Sequence, residues 1–193
     1  APPPFEGKIV MITGGAGAIG LATAKAFAAK GANIVLVDLN SKALENALKE
    51  LGPWHASYAA NITSAGAAEA AMRAAVLRFG GLDILISNAG SATGGAMLEI
   101  SDDAFRKAFE LNFFAHKNFA TEAARLMKNQ GRGGQILFNI SKQAINPGKN
   151  MGAYGTPKAA TLFLMRQLTL ELAGSGIRVN GMNADRIRSG LLT

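Results

Sequence analysis

The sequence predicts a doubly wound α/β fold, with helices covering both faces of a parallel sheet. Two observations carry that expectation. Asn33 to Asp38 (NIVLVD) is a continuous apolar run rather than an alternating one, so both faces of such a strand need cover. Such runs alternate with Ala-rich helical stretches, the order of right-handed βαβ units. At 193 residues the chain has the length of one domain with one substantial core.

The elements follow in order. Lys8 to Thr13 (KIVMIT) reads as the first strand and runs into Gly-Gly-Ala-Gly-Ala-Ile-Gly. A helix from about Leu21 to Lys30 is expected next, ended by Gly31, and then the strand Asn33 to Asp38. Ser41 is placed to cap a helix through Leu51. A strand near His55 to Ala59, a helix from about Ser64 to Phe79 and the strand Leu82 to Ser87 follow. Ser101 opens another helix, with Asp102 and Asp103 at its positive end. One long helix is expected from about Phe109 to Asn129. Gln135 to Ile140 is a strand, Ala153 to Ala173 a helix and Ile177 to Met182 a strand. There is no internal repeat or low-complexity block.

Composition narrows the function classes. With no cysteine, disulfides, thiolate nucleophiles and Cys-bound zinc are excluded. His55 and His116 stand far apart without metal-ligand spacing, so no metal site is expected. The net charge of +7 comes from scattered Lys and Arg, concentrated only at Arg186 and Arg188. A general field attracting an anionic ligand is the milder reading than nucleic-acid binding, which lacks a motif or an aromatic platform. No signal peptide or membrane span is visible, so a soluble, cytoplasmic protein is expected. Residues 1–7 (APPPFEG) look like a stiff linker or tail, leaving 8–193 as the folded domain.

The first chemical signal is the glycine turn after a buried strand. Gly14, Gly15, Gly17 and Gly20 allow a sharp turn and close approach to a pyrophosphate, and the next helix aims its positive end at the phosphates. A tight turn without a ligand remains the alternative for glycines alone. Asp38 strengthens the case. It ends the second strand 18 residues beyond Gly20, where a carboxylate accepts from adenosine ribose hydroxyls and repels a 2′-phosphate. Leu39 and Asn40 supply no positive charge, which also favours NAD over NADP. The alternative for Asp38 is a turn or capping role.

The second signal is Tyr154 and Lys158, at i and i+4 on one helical face. An ammonium group and a positively charged nicotinamide would favour the tyrosinate, giving a phenol able to exchange a proton with an alcohol or carbonyl oxygen. Ser141 lies 13 residues upstream at a strand end, where its hydroxyl could hold that oxygen. Tyr-x-x-x-Lys by itself is equally an ordinary surface pair.

Taken together, these residues resemble the short-chain dehydrogenase/reductase family over essentially the whole chain. Thr13-Gly14 through Ala18 and Gly20 match its glycine turn, and Asn88-Ala89-Gly90 matches the motif closing its fourth strand. Asn112, Ser141, Tyr154 and Lys158 fall at its catalytic positions, and Ile177 to Asn180 matches its sixth strand. The resemblance implies a Rossmann sheet of order 3-2-1-4-5-6 with the seventh strand absent from the given residues. It implies that Tyr154 is the general acid/base, Lys158 holds the nicotinamide ribose and lowers the tyrosine pKa, Ser141 orients the substrate oxygen, and Asn112 holds a relay water. Cofactor contacts are implied for Gly14, Gly17, Ala18, Ile19, Gly20, Asp38, Leu39, Asn61, Ile62, Asn88, Ala89, Gly90, Tyr154 and Lys158. A strand-end turn serine and a helix-kinking asparagine are the alternatives for Ser141 and Asn112.

Several positions depart from the family pattern. Asn61 replaces the usual aspartate at the adenine, Lys142 adds positive charge beside the substrate, and Pro157 falls in what is expected to be a first helical turn. Asn183-Ala184-Asp185 replaces the usual Asn-Pro-Gly. The chain stops about ten residues past the sixth strand, as a fragment or a protein with a further tail would. Ser141-Lys142, Pro147 to Asn150 and Gln130 to Gly134 resemble the dehydrogenase half of bifunctional aldolase/short-chain dehydrogenases, which handle deoxysugar breakdown and lactaldehyde. The expected substrate is a small hydroxylated or sugar-derived alcohol or carbonyl. A 3-oxoacyl or polyol reductase and a non-catalytic NAD-binding module are the rivals. Apolar residues on several helical faces (Phe105, Phe109, Phe113, Phe114, Phe119, and Leu162, Phe163, Leu164, Met165, Leu168) suggest a homodimer or homotetramer, with packing within the chain as the alternative.

Overall fold

The computed structural model describes residues 2–185 and 187; the basic pair Arg186 and Arg188 therefore lies outside the described residues. Six strands form one parallel sheet: β1 (Ile9–Thr13), β2 (Asn33–Asp38), β3 (Ala56–Ala59), β4 (Ile84–Ser87), β5 (Gly134–Asn139) and β6 (Ile177–Met182). Their order is β3-β2-β1-β4-β5-β6, as the resemblance implied. The helices between them are α1 (Ala18–Ala28), α2 (Ser41–Leu51), α3 (Ala67–Phe79), α4 (Asp102–Phe109), α5 (Ala115–Gln130) and α6 (Gly152–Leu172).

Alternate residues of the same strands feed two cores. Met11, Val35, Leu85, Ile136, Phe138 and Val179 point to the side packed by α3, α5 and α6. Val10, Ile12, Ile34, Leu36, Ile84 and Ile86 point to the side packed by α1 and α2. Burial on both faces accounts for the unbroken apolar runs. Small residues let the helices lie close: α5 buries Ala115, Ala120, Ala123 and Ala124 against the sheet. The sheet brings the ends of all six strands to one edge, and their C-terminal ends carry the site.

Four local expectations are corrected. The cap of α2 is Asn40, whose side chain accepts from the Ala43 amide at 3.0 Å; Ser41 is the first helical residue. Gly66, at φ +75°, delays α3 to Ala67 after a turn begun near Ser64. Residues 4–7 form turns instead of an extended segment, with Phe5 edge-on to Phe27 at 4.8 Å. The expected continuous helix from Phe109 contains a π-helical interval, Glu110–Phe114, between α4 and α5. The Asn112 side-chain amide donates to the Ala108 carbonyl four residues back (3.1 Å). It takes the acceptor that a regular α-turn would give to a backbone N–H.

Of the residues expected at an association surface, Phe119 and Leu168 are buried in the core, whereas Phe114 and Phe163 remain exposed. Among the described residues no helix is long and apolar enough to cross a membrane, and no cluster of His, Cys, Asp or Glu could hold a metal ion.

Candidate active site

A cleft of about 1310 Å³ opens along the C-terminal edge of the sheet. It is lined by Gly14, Gly17, Ala18, Ile19, Gly20, Asp38, Leu39, Asn61, Ile62, Asn88, Ala89, Gly90, Ser141, Tyr154 and Lys158. Asn112 is the exception. It is fully buried behind the cleft wall, where a Cβ on Gly90 would stand 2.8 Å from its Oδ1.

At one end the β1–α1 turn forms a cradle. Gly14 has φ +62°, and a Cβ there would lie 2.9 Å from the Ala89 Cα. A Cβ on Gly20 would lie 2.1 Å from the Gly14 carbonyl oxygen, so a larger residue cannot enter without moving backbone. The first intrahelical bond of α1 runs from Leu21 N to Gly17 O (2.8 Å). The Ala18, Ile19 and Gly20 amides therefore face outward from the positive end of the helix. No acidic residue in that turn opposes an anion. These features fit a dinucleotide pyrophosphate.

Asp38 is part of this cradle in a way the sequence did not disclose. Its Oδ2 accepts from the Ala16 amide (3.1 Å), tying the glycine turn to β2, while Oδ1 accepts from the Asn40 amide (3.1 Å). The turn role is real, and each oxygen keeps further lone pairs for ligand hydroxyls. Asn61 likewise serves its own turn, its Oδ1 accepting from the amide and hydroxyl of Thr63, and its amide group is left for a ligand. Asn88 uses its side chain internally. It donates to the Thr13 carbonyl (3.0 Å) and accepts from Asn139 Nδ2 (2.9 Å), clamping β1, β4 and β5 together.

At the other end, α6 presents Tyr154 and Lys158 from its first two turns. Lys158 is 2% exposed and donates from Nζ to the Asn139 carbonyl at 2.9 Å. Its ammonium lies 5.8 Å from the centre of the Tyr154 ring. Burial lowers the Lys158 pKa from 10.5 to about 8, because a desolvated ammonium loses its hydration. The Ser141 Oγ accepts from the Gln143 amide (3.2 Å), which makes it the cap of the short helix Lys142–Ala144. That bond fixes the oxygen and leaves the hydroxyl proton to be donated.

Two departures resolve differently from expectation. The Lys142 charge is paired with Asp185 at 2.8 Å, across the cleft mouth, so it is not a free cation beside the substrate. Pro157 stands in the second turn of α6, inside the helix, leaving the Ala153 carbonyl without its i+4 backbone donor.

Residues without an expected role of their own in the site also shape it. Thr13 Oγ1 accepts from the Asn88 and Ala89 amides (2.9 and 3.1 Å). Thr161 donates to the Asn112 carbonyl at 2.7 Å, holding the π interval against α6. His116, fully enclosed, lies 2.6 Å from Ser87 Oγ and 3.5 Å from Lys158 Nζ. Its place four residues after Asn112, on the face of α5 that also buries Phe119 and Ala120, was the available signal.

The buried ammonium has a thermodynamic signature. The folded state binds the Lys158 proton less tightly than the unfolded chain, so unfolding takes up a proton between about pH 8 and 10.5. Lys158 therefore adds stability as pH rises through that window and costs stability below it. Chemical denaturation of wild type and Lys158→Met across that range should show the wild type gaining on the variant as pH rises. Parallel curves would contradict the burial.

Residues 8–192 match the family model described as short chain dehydrogenase. The chain is 35% identical over 200 residues to the oxidoreductase YuxG of Bacillus subtilis (strain 168), covering 98% of this chain but 29% of that protein. It is 36% identical over 189 residues to short-chain dehydrogenase reductase 5 of Arabidopsis thaliana, covering 97% of this chain and 73% of that one. Among solved structures, NAD+-bound xylitol dehydrogenase superposes with a TM-score of 0.93 at 33% identity, covering 98% of this chain and 74% of that one. A parallel sheet of this order, a glycine cradle and a Tyr-x-x-x-Lys helix meeting in one cleft agree with those similarities, and the chain belongs to the short-chain dehydrogenase family of oxidoreductases acting on CH–OH groups.

Proposed function

We propose that this domain interconverts an alcohol and a carbonyl on a small, hydroxylated or sugar-derived substrate, with NAD preferred over NADP. One observation carries the reading: the pyrophosphate cradle and the buried Lys158 beside Tyr154 open into the same cleft. Ala18, Ile19 and Gly20 would hold the phosphates through their amides, and Asp38 the adenosine ribose. Leu39, Asn61 and Ile62 would flank the adenine side, and Ala89 and Gly90 the middle of the cleft. Asn88 would contribute through the backbone it fixes. Bound there, the nicotinamide supplies the hydride acceptor or donor.

Tyr154 takes the hydroxyl proton when an alcohol is oxidised and returns it when a carbonyl is reduced. Lys158 binds the nicotinamide ribose, with its ammonium 5.8 Å from the centre of the Tyr154 ring. Ser141 donates its free hydroxyl proton to the substrate oxygen. Asn112 Oδ1, buried and without a partner, and Lys158 Nζ both border the open face of Gly90; Asn112 would hold a water there.

The length of YuxG beyond the matched segment supports a larger polypeptide in which residues 1–7 lead in from another domain, and an aldolase is the partner we favour. The exposed Phe114 and Phe163 support association with a second copy. A soluble, cytoplasmic setting fits this chemistry.

The test is a cofactor and substrate panel. NAD should bind at least about tenfold more tightly than NADP, because a 2′-phosphate would face the Asp38 carboxylate. Asp38→Asn keeps an acceptor for the Ala16 amide but removes the charge, and should narrow that ratio. An unchanged ratio would remove the ribose assignment. Turnover of none of a range of small alcohols, lactaldehyde and polyols would remove the catalytic one.

A further inference from the structure

His116 is a buried ionisable group that the mechanism above leaves unused. It sits in the first turn of α5, 2% exposed, with its ring tilted against Phe138 at 6.1 Å between centroids. Nδ1 lies 2.6 Å from the Oγ of Ser87, itself buried at the end of β4. Nε2 lies 3.5 Å from Lys158 Nζ on α6. One imidazole thus joins β4 to the ammonium group beneath the cleft.

We infer that His116 is a positioning residue: held by Ser87 with its proton on Nδ1, it turns the Nε2 lone pair to the Lys158 ammonium and stabilises its charged form. The inference rests on the role given to Lys158 above. Hydrogen-bond bookkeeping supports it. An ammonium has three N–H donors and no acceptor. The Asn139 carbonyl takes one at 2.9 Å. With its proton on Nδ1, the ring offers Nε2 at 3.5 Å for a second, which leaves the third for the cleft. The opposite tautomer would set an Nε2–H against the ammonium, donor against donor.

The groups facing this pair are few. Ser87 from β4, Phe138 from β5 and the Ala89 carbonyl surround the ring; Asn139 and Tyr154 face the ammonium. No carboxylate pairs with Lys158 among the described residues. The Ala89 carbonyl favours a ring proton and is the competing influence, while burial and the Lys158 charge hold the imidazole pKa well below its usual value. The ring therefore stays neutral at physiological pH, and its tautomer is the decisive variable.

Nitrogen-15 NMR of the imidazoles reads that tautomer directly, without cofactor or turnover. The sequence has two histidines, and His55 accepts from the Ile34 amide through Nδ1 (3.2 Å), so it provides an Nε2–H standard in the same spectrum. His55→Gln assigns the signals. We expect His116 as a single neutral Nδ1–H tautomer from about pH 6 to 9. An Nε2–H signal, or a mixture, overturns the inference.

A second measurement follows Lys158 through its carbon-13 Cε shift. His116→Leu should lower the Lys158 pKa by about one unit, the scale expected when a charged donor loses one acceptor. His116→Gln, which keeps an acceptor in reach, should restore much of it. An unmoved Lys158 titration in His116→Leu overturns the inference, and where that variant does not fold, the wild-type tautomer decides. Since neither readout needs catalysis, an inactive Tyr154 variant and a misassigned His116 give distinguishable results.

Discussion

Tyr154→Phe is expected to reduce turnover by about 10² to 10⁴-fold, the contribution of one positioned acid/base group, while leaving NAD affinity within a few-fold. The geometry explains why the two effects separate. The phenol projects into the cleft, and no residue described donates to or accepts from its hydroxyl. Removing that oxygen disturbs neither the glycine cradle nor the Lys158–Asn139 bond, so fold and binding should persist. What disappears is the phenol that we propose as proton carrier beside the buried ammonium. The measurement is kcat in both directions beside a direct titration of NAD. Comparable turnover in the variant would take away the mechanism, whereas loss of NAD affinity would mean that the ring packs the cofactor site instead.

Gly20→Ala should abolish most dinucleotide binding and lower stability, and comparison with Gly17→Ala separates the two causes. At Gly20 the new methyl would fall 2.1 Å from the Gly14 carbonyl and 2.8 Å from the Gly15 Cα, both backbone. The turn must move, at the roughly 1–3 kcal/mol typical of overpacking, and with it the three free amides of α1. At Gly17 the methyl would meet only the Gly14 oxygen at 3.4 Å, an ordinary contact. The protein itself tolerates Ala there, so any loss of affinity must come from a ligand lying against that face. We expect Gly20→Ala to lose several degrees of Tm and NAD binding together, and Gly17→Ala to keep Tm and lose about tenfold in affinity. Gly17→Ala binding as tightly as wild type would place the pyrophosphate elsewhere.

The contrast between these glycines illustrates what was readable beforehand. Both follow a buried strand and precede a helix, so local sequence assigns them one collective task. Their division of labour depends on which atoms the folded turn brings near each Cα. Asp38 behaves the same way: its position after an apolar strand placed a carboxylate at the end of β2, but its bonds to Ala16 and Asn40 arise only when β1 and β2 pair. Asn112 was picked out as a candidate by family resemblance alone, and the π interval around it was not legible at all. Helical periodicity continues through 110–114, and the side-chain bond to Ala108 that competes with the backbone leaves no mark in the pattern.

Elements with strong local causes were recoverable from the residues alone. A fully buried parallel strand must be apolar on both faces, so Asn33–Asp38 appears in the sequence with its observed limits, whereas Ile177–Met182 buries only Ile177 and Val179 on one face. Glycines after a buried strand announce a tight strand-to-helix turn, and Tyr154 and Lys158, one helical turn apart, must share a face. The tertiary structure alone decided the burial that lowers the Lys158 pKa, the pairing of Lys142 with Asp185, and the meeting of Ser87, His116 and Lys158 from three separate elements. Strand and turn signals are carried by neighbours along the chain. Proton affinity and charge pairing depend on solvent exclusion and on groups tens of residues away, which only the packed sheet brings together.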